Sequence, residues 1–87
     1  MAEMPSKTDD SVSTLDATGL RCPLPVLRAR RVLKGLAGGG LLDVLATDSA
    51  APADFEAFCR ETGHTLVNIE QSDDVYTIRL RKAESSR

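Results

Sequence analysis

The stretch that decides the fold is Gly19–Leu36, "GLRCPLPVLRARRVLKGL". It places a cysteine before two prolines at what reads as the start of an amphipathic helix. Val26, Ala29, Val32, Leu33 and Leu36 fall within about 120° of one another at helical spacing. Arg28, Arg30, Arg31 and Lys34 fill the opposite side. Proline is favoured at the first helical position, and the residue before a proline is pushed out of the helical region. Pro23 is therefore expected to open the helix, with Cys22 as its N-cap. Pro25 comes third, where its missing N–H has no intrahelical partner to lose.

Before this helix, "SVSTLD" reads as a short strand, about Val12 to Asp16, and "ATG" turns the chain. "AGGG" ends the helix, because glycine suits the position past a helix C-terminus. "LLDVLAT", Leu41 to Thr47, is almost wholly apolar and reads as a central strand. A second helix is expected from about Pro52 to Thr62, with Phe55, Phe58, Cys59 and Thr62 facing inward and Gly63 as its cap. "HTLVNIEQ" and "VYTIRLRK" alternate like strands around "SDD", as in a β-hairpin. The order is βαβαββ. Right-handed crossovers put both helices on one face of the sheet. The fold class is thus α+β: a two-layer sandwich with a four-stranded mixed sheet.

The 87 residues suffice for one small domain. It is expected over residues 12–82, with polar tails at 1–11 and 83–87. Apolar residues make up 41% of the chain, which suits a packed core, and the scarcity of aromatics makes that core aliphatic. Net charge is −2, giving no global reason for nucleic-acid or membrane binding. Its distribution is uneven, however. Arg21 to Gly40 carries five bases and no acid, whereas the remainder carries six bases and thirteen acids. No apolar run approaches membrane-spanning length, and the N-terminus lacks a signal-peptide core. The two cysteines, Cys22 and Cys59, read as free thiols of a reducing cytoplasm.

A thiol at a helix start gains from the positive end of the helix, and cysteines there and beside bases commonly have a lowered pKa. Cys22 is therefore expected to be a reactive, accessible thiol. Arg21, Pro23, Leu24 and Pro25 support it, with the amides of Leu24 and Val26 free nearby. Cys59 is expected to be core packing, with a resolving thiol as the alternative. His64 is expected to be a structural residue at a strand start, with proton transfer at Cys22 as the alternative. Asp48 is expected to cap the loop before the second helix. Arg28, Arg30, Arg31 and Lys34 form either a solvated face or a docking surface for an acidic partner. No metal site is expected from so few scattered ligands.

The "LD-x-x-GL-x-CP-x-P" signature, the spacing to Asp48, and the later "FC" and "GH" pairs closely resemble the TusA-like (SirA-like) sulfur-carrier family. The resemblance spans nearly the whole chain beyond the first dozen residues. It implies the same βαβαββ fold and a persulfide on Cys22, with no metal or organic cofactor. It also implies a cysteine desulfurase or rhodanese-type sulfur donor and a downstream relay protein. The pathways implied are tRNA 2-thiouridine synthesis, dissimilatory sulfur oxidation or molybdenum-cofactor sulfur supply. Direct tRNA contact is not favoured, because the basic helix carries no interleaved aromatics. The rival readings are a non-catalytic interaction module that docks through the basic helix, and a thiol redox protein. Three positions depart from the family pattern: Ser49 stands where Pro is common, Gly40 where Glu is common, and Leu24 where the tRNA-thiolation member has Glu. The internal "GGG" is not the C-terminal Gly-Gly of ubiquitin-like sulfur carriers.

Overall fold

A computed structural model describes residues 12–84. The expected tail at 1–11 and residues 85–87 of the other tail lie outside the described residues, and Ala83 and Glu84 have no regular structure. The elements are β1 (Val12–Ala17), α1 (Leu24–Lys34), β2 (Leu41–Ala46), α2 (Ala51–Thr62), β3 (Thr65–Ser72) and β4 (Val75–Arg81). They form one four-stranded sheet in the order β1-β2-β4-β3. β1 and β2 are parallel, in register from Val12 opposite Leu41 to Ala17 opposite Ala46. β4 runs antiparallel to both β2 and β3. Both helices pack on one face, giving the α+β sandwich that the hydrophobic pattern requires.

Alternation along β2 explains why that face is the core. Leu42, Val44 and Ala46 are buried, while Leu41, Asp43 and Leu45 turn the other way. Ile78 and Leu80 of β4 extend the same layer. Ala29 and Leu33 of α1 close over it, together with Ala51, Phe55, Phe58 and Cys59 of α2. Phe55 meets Phe58 edge to face at 6.3 Å. Burying a side chain such as Phe55 or Leu33 contributes about 1.5–3 kcal/mol. On the open face, Arg79 donates to both oxygens of Asp43 at 2.7 and 3.0 Å across the β2–β4 pair.

The ends of the helices differ from expectation in detail. α1 stops at Lys34, before the glycine run, because Gly35 already folds back to the Val32 carbonyl. Its N-terminus is also later than expected. Pro23 is the N-cap, Pro25 is buried in the first turn, and Cys22 lies one residue outside the helix. The Cys22–Pro23 peptide bond is cis. α2 ends as expected, at a left-handed Gly63 with φ of 87° whose N–H reaches the Cys59 carbonyl. The hairpin turns through Asp73 and Asp74, with Asp73 at φ 55°, a conformation that Asp tolerates better than most residues. A bulge at Val67 interrupts the β3–β4 register.

Candidate functional site

Because β1 and β2 are parallel, the loops that follow them leave the same edge of the sheet. Crevices at the carboxyl ends of parallel strands are where such folds place their chemistry. Here the two loops are tied by side chains. Asp16 closes the end of β1 by accepting from the Thr18 N–H and hydroxyl at 3.0 and 2.6 Å. Gly19, at φ 81°, donates its N–H to the Thr47 hydroxyl at 2.8 Å. The Cys22 N–H then donates to Asp48 Oδ2 at 2.6 Å. The other oxygen, Oδ1, accepts from Ala50 N–H at 3.0 Å, and the Asp48 carbonyl accepts from Ala51 N–H. One carboxylate thereby fixes the cysteine loop to the start of α2. These hydrogen bonds, with help from the charge of Arg21, hold the Asp48 carboxyl below its usual value.

Cys22 is exposed, and the acid that most influences its thiol is Asp54 in the first turn of α2. The electrostatics of the thiol therefore reverse expectation. The Asp54 carboxylate is the largest influence and raises the Cys22 pKa; desolvation and the charge of Asp48 add to it. The expected lowering by the start of α1 fails for a structural reason. Pro23 and Pro25 bring no N–H, and the Leu24 N–H is not free but donates to the Arg21 carbonyl at 2.8 Å. The positive end of a helix is largely its free N–H groups, and here few remain. Arg21, expected beside the thiol, acts on Asp48 instead.

The residues expected around Cys22 separate. Leu24 is exposed, whereas Pro25 is buried under α1. Leu24 and Leu27 form, with Leu15 and Val32, the apolar floor of an open groove of about 560 Å³ along the β1 side of α1. Arg28 and Arg31 line it. Arg30 belongs to another row, its guanidinium 5.9 Å over the Phe58 ring. Lys34 sits in the last turn of α1, and its carbonyl accepts from Lys82 Nζ at 3.4 Å. Arg28 and Arg31 thus face the groove, whereas Arg30 lies over Phe58.

Cys59 is buried on the inner side of α2 and burial pushes its thiol pKa up, as core packing requires. His64 follows the end of α2, while Cys22 is held at its beginning. The helix has 12 residues, so it is about 18 Å long. Nδ1 of His64 accepts from Ala83 N–H at 2.9 Å, and its ring lies 5.6 Å from that of Phe58. Burial, then the nearby Lys82, lowers its pKa. Among the described residues, no group of three or more His, Cys, Asp or Glu could hold a metal ion, and no helix is long and apolar enough to cross a membrane.

Asp54 is the site residue that sequence reasoning missed. The available signal was topological: a βαβ unit starts both of its following loops at one sheet edge, so the first turn of α2 had to approach Cys22.

Comparison with known proteins agrees with this geometry. The family described as sulfurtransferase TusA matches residues 13–82. A candidate sulfur carrier of Neisseria meningitidis is 57% identical over 65 residues, covering 75% of this chain and 88% of that protein. The sulfur carrier protein TusA of Allochromatium vinosum is 39% identical over 69 residues, covering 79% of this chain and 91% of its own. The crystal structure of a SirA-like protein from Desulfitobacterium hafniense superposes with a TM-score of 0.73 at 27% identity, covering 85% of this chain and all of that one. With the fold, the tethered cysteine loop and the matched span in agreement, this chain belongs to the TusA family of sulfur carriers.

Proposed function

We propose that this chain carries sulfane sulfur as a persulfide on Cys22, taking it from one protein and delivering it to another. The observation that carries the reading is the placement of an exposed Cys22, anchored through its own backbone to Asp48, within the span matched by the family. Loading begins when the Cys22 thiolate attacks the outer sulfur of a donor persulfide. The donor S–S bond breaks, and the donor leaves as a thiolate that takes up the proton Cys22 lost. Delivery repeats the step with an acceptor thiolate attacking the outer sulfur on Cys22. Both are thiol–disulfide-type exchanges with no net oxidation. The anchored backbone keeps the sulfur at the surface, where both partners reach it.

The donor is a cysteine desulfurase or a rhodanese-type protein, and the acceptor is a downstream relay protein of tRNA thiouridine synthesis or dissimilatory sulfur oxidation. A free exposed thiol in this role suits the reducing cytoplasm. The groove beside Leu24 supports docking there, since Arg28 and Arg31 would steer an acidic partner toward Cys22. Intact-mass measurement after incubation with a cysteine desulfurase and cysteine, and separately with a rhodanese-type donor, tests the reading. One added sulfur with either donor, absent from Cys22→Ser, is the expected result; no gain with both would refute it.

A further inference from the structure

β1 is an edge of the sheet: among the described residues only β2 pairs with it. An edge strand presents a row of backbone N–H and C=O groups to whatever lies beyond it. The opposite edge, β3, is interrupted by the bulge at Val67, a device that keeps other chains from pairing there. β1 has neither bulge nor proline, and its one acid, Asp16, is turned back onto Thr18. The open groove runs along this unguarded edge. Leu24, Leu27, Arg28, Arg31 and Val32 recur at the three- and four-residue spacing of one helical stripe, so α1 turns a single row toward β1. Leu15 completes the floor from the strand. It shares the core face with its register partner Val44, yet Val44 is fully buried and Leu15 only partly, because the groove opens beside it. Leu24 and Leu27 are 43% and 49% exposed, and adjacent apolar side chains left open in this way mark a contact surface.

We propose that an extended, acidic segment of a partner protein docks by adding to the outer edge of β1 as a further strand. Its backbone pairs with β1, its inward apolar side chains cover Leu24, Leu27 and Val32, and its inward carboxylates meet the guanidiniums of Arg28 and Arg31. About six residues of strand, roughly 20 Å, match the length of β1. α1 contains no acidic residue, so the helical wall of the groove repels basic segments and selects acidic ones. Leu24 lies two residues from Cys22, and β1 leads into the loop that carries the thiol, so the docked segment runs alongside the cysteine loop. The inference deepens the sulfur-relay reading and rests on it for the nature of the partner, a protein that exchanges sulfur with Cys22.

The test is an NMR titration of the full, isotope-labelled chain with a blocked peptide of two Val-Thr-Glu-Thr repeats, whose valines and glutamates share one face of a strand. It requires no sulfur transfer, so its outcome is separate from that of persulfide loading. The β1 amides are expected to shift, and those facing outward to exchange more slowly with solvent. Arg28→Glu with Arg31→Glu is expected to weaken binding at least tenfold, as is lysine in place of the peptide glutamates. Arg60→Glu, an equal charge reversal in the last turn of α2, is expected to leave binding in place. Two further peptides carry N-methyl groups on alternate amides in opposite phase. One is expected to lose binding and the other to keep it, because only one phase faces β1. Equal behaviour of the two methylated peptides, shifts confined to other elements, or no shift at millimolar peptide would overturn the proposal. So would contacts on β1 from residues 1–11 or from a second copy in the free chain, which would show the edge already filled.

Discussion

The N–H of Cys22 and Oδ2 of Asp48 lie 2.6 Å apart, joining residues 26 positions apart in sequence. The contact crosses from the loop after β1 to the loop after β2 and fixes where the thiol stands. Asp48→Ala is expected to keep the fold, because the core lies elsewhere, yet to slow persulfide loading by about tenfold or more through misplacement of the sulfur. Asp48→Asn, which retains an oxygen acceptor, is expected to recover part of the rate. Circular dichroism with loading kinetics checks both.

The same carboxylate gives a pH signature. Asp48 and Asp16 both have carboxyls held below the ordinary value of 3.8, Asp48 by hydrogen bonds from Ala50 and Cys22 and Asp16 by hydrogen bonds from Thr18. A depressed folded pKa contributes stability that is present above the unfolded value and lost as pH falls through the folded one. Thermal midpoints are therefore expected to fall as pH drops below 3.8, and to fall less steeply in Asp48→Ala.

Much of this was legible beforehand, and the failures have one cause. The helical stripe of α1, the apolar run of β2 and the left-handed Gly63 are local signals, and each lies where its spacing puts it. The electrostatics of Cys22 are not local. Arg21 and the prolines are neighbours in sequence, but Asp54 is the neighbour in space, and it acts with the opposite sign. The basic helix misled in a milder way. Spacing of three sets Arg28 and Arg31 along the groove, whereas Arg30 is drawn over Phe58 by a contact that depends on how α1 and α2 pack.

That division predicts different roles for neighbouring arginines. Arg28→Glu with Arg31→Glu is expected to slow sulfur transfer from a protein donor, most strongly at low salt, while loading from a small sulfane donor is unchanged. Arg30→Ala is expected to cost about 0.5–1 kcal/mol of stability through its lost ring contact. Transfer kinetics at two ionic strengths, paired with denaturant melts, separate the effects.

Leu33 is buried against the sheet from α1. Leu33→Ala is expected to destabilise the protein by about 2–5 kcal/mol, from lost burial and the cavity left behind. Cys59→Ala is expected to cost about 1 kcal/mol and to leave loading intact, because Cys59 is buried in the core while Cys22 is exposed. Loss of loading in folded Cys59→Ala would instead favour a thiol redox role.

The most direct measurement maps the transferred sulfur. The chain is loaded by a desulfurase, the persulfide is capped with an alkylating reagent, and the digested peptides are weighed. The account predicts one extra sulfur on the peptide carrying Cys22, none on the peptide carrying Cys59, and its loss when an acceptor thiol is added. Sulfur on Cys59, or an unmodified Cys22 in a chain that still delivers sulfur, would contradict it.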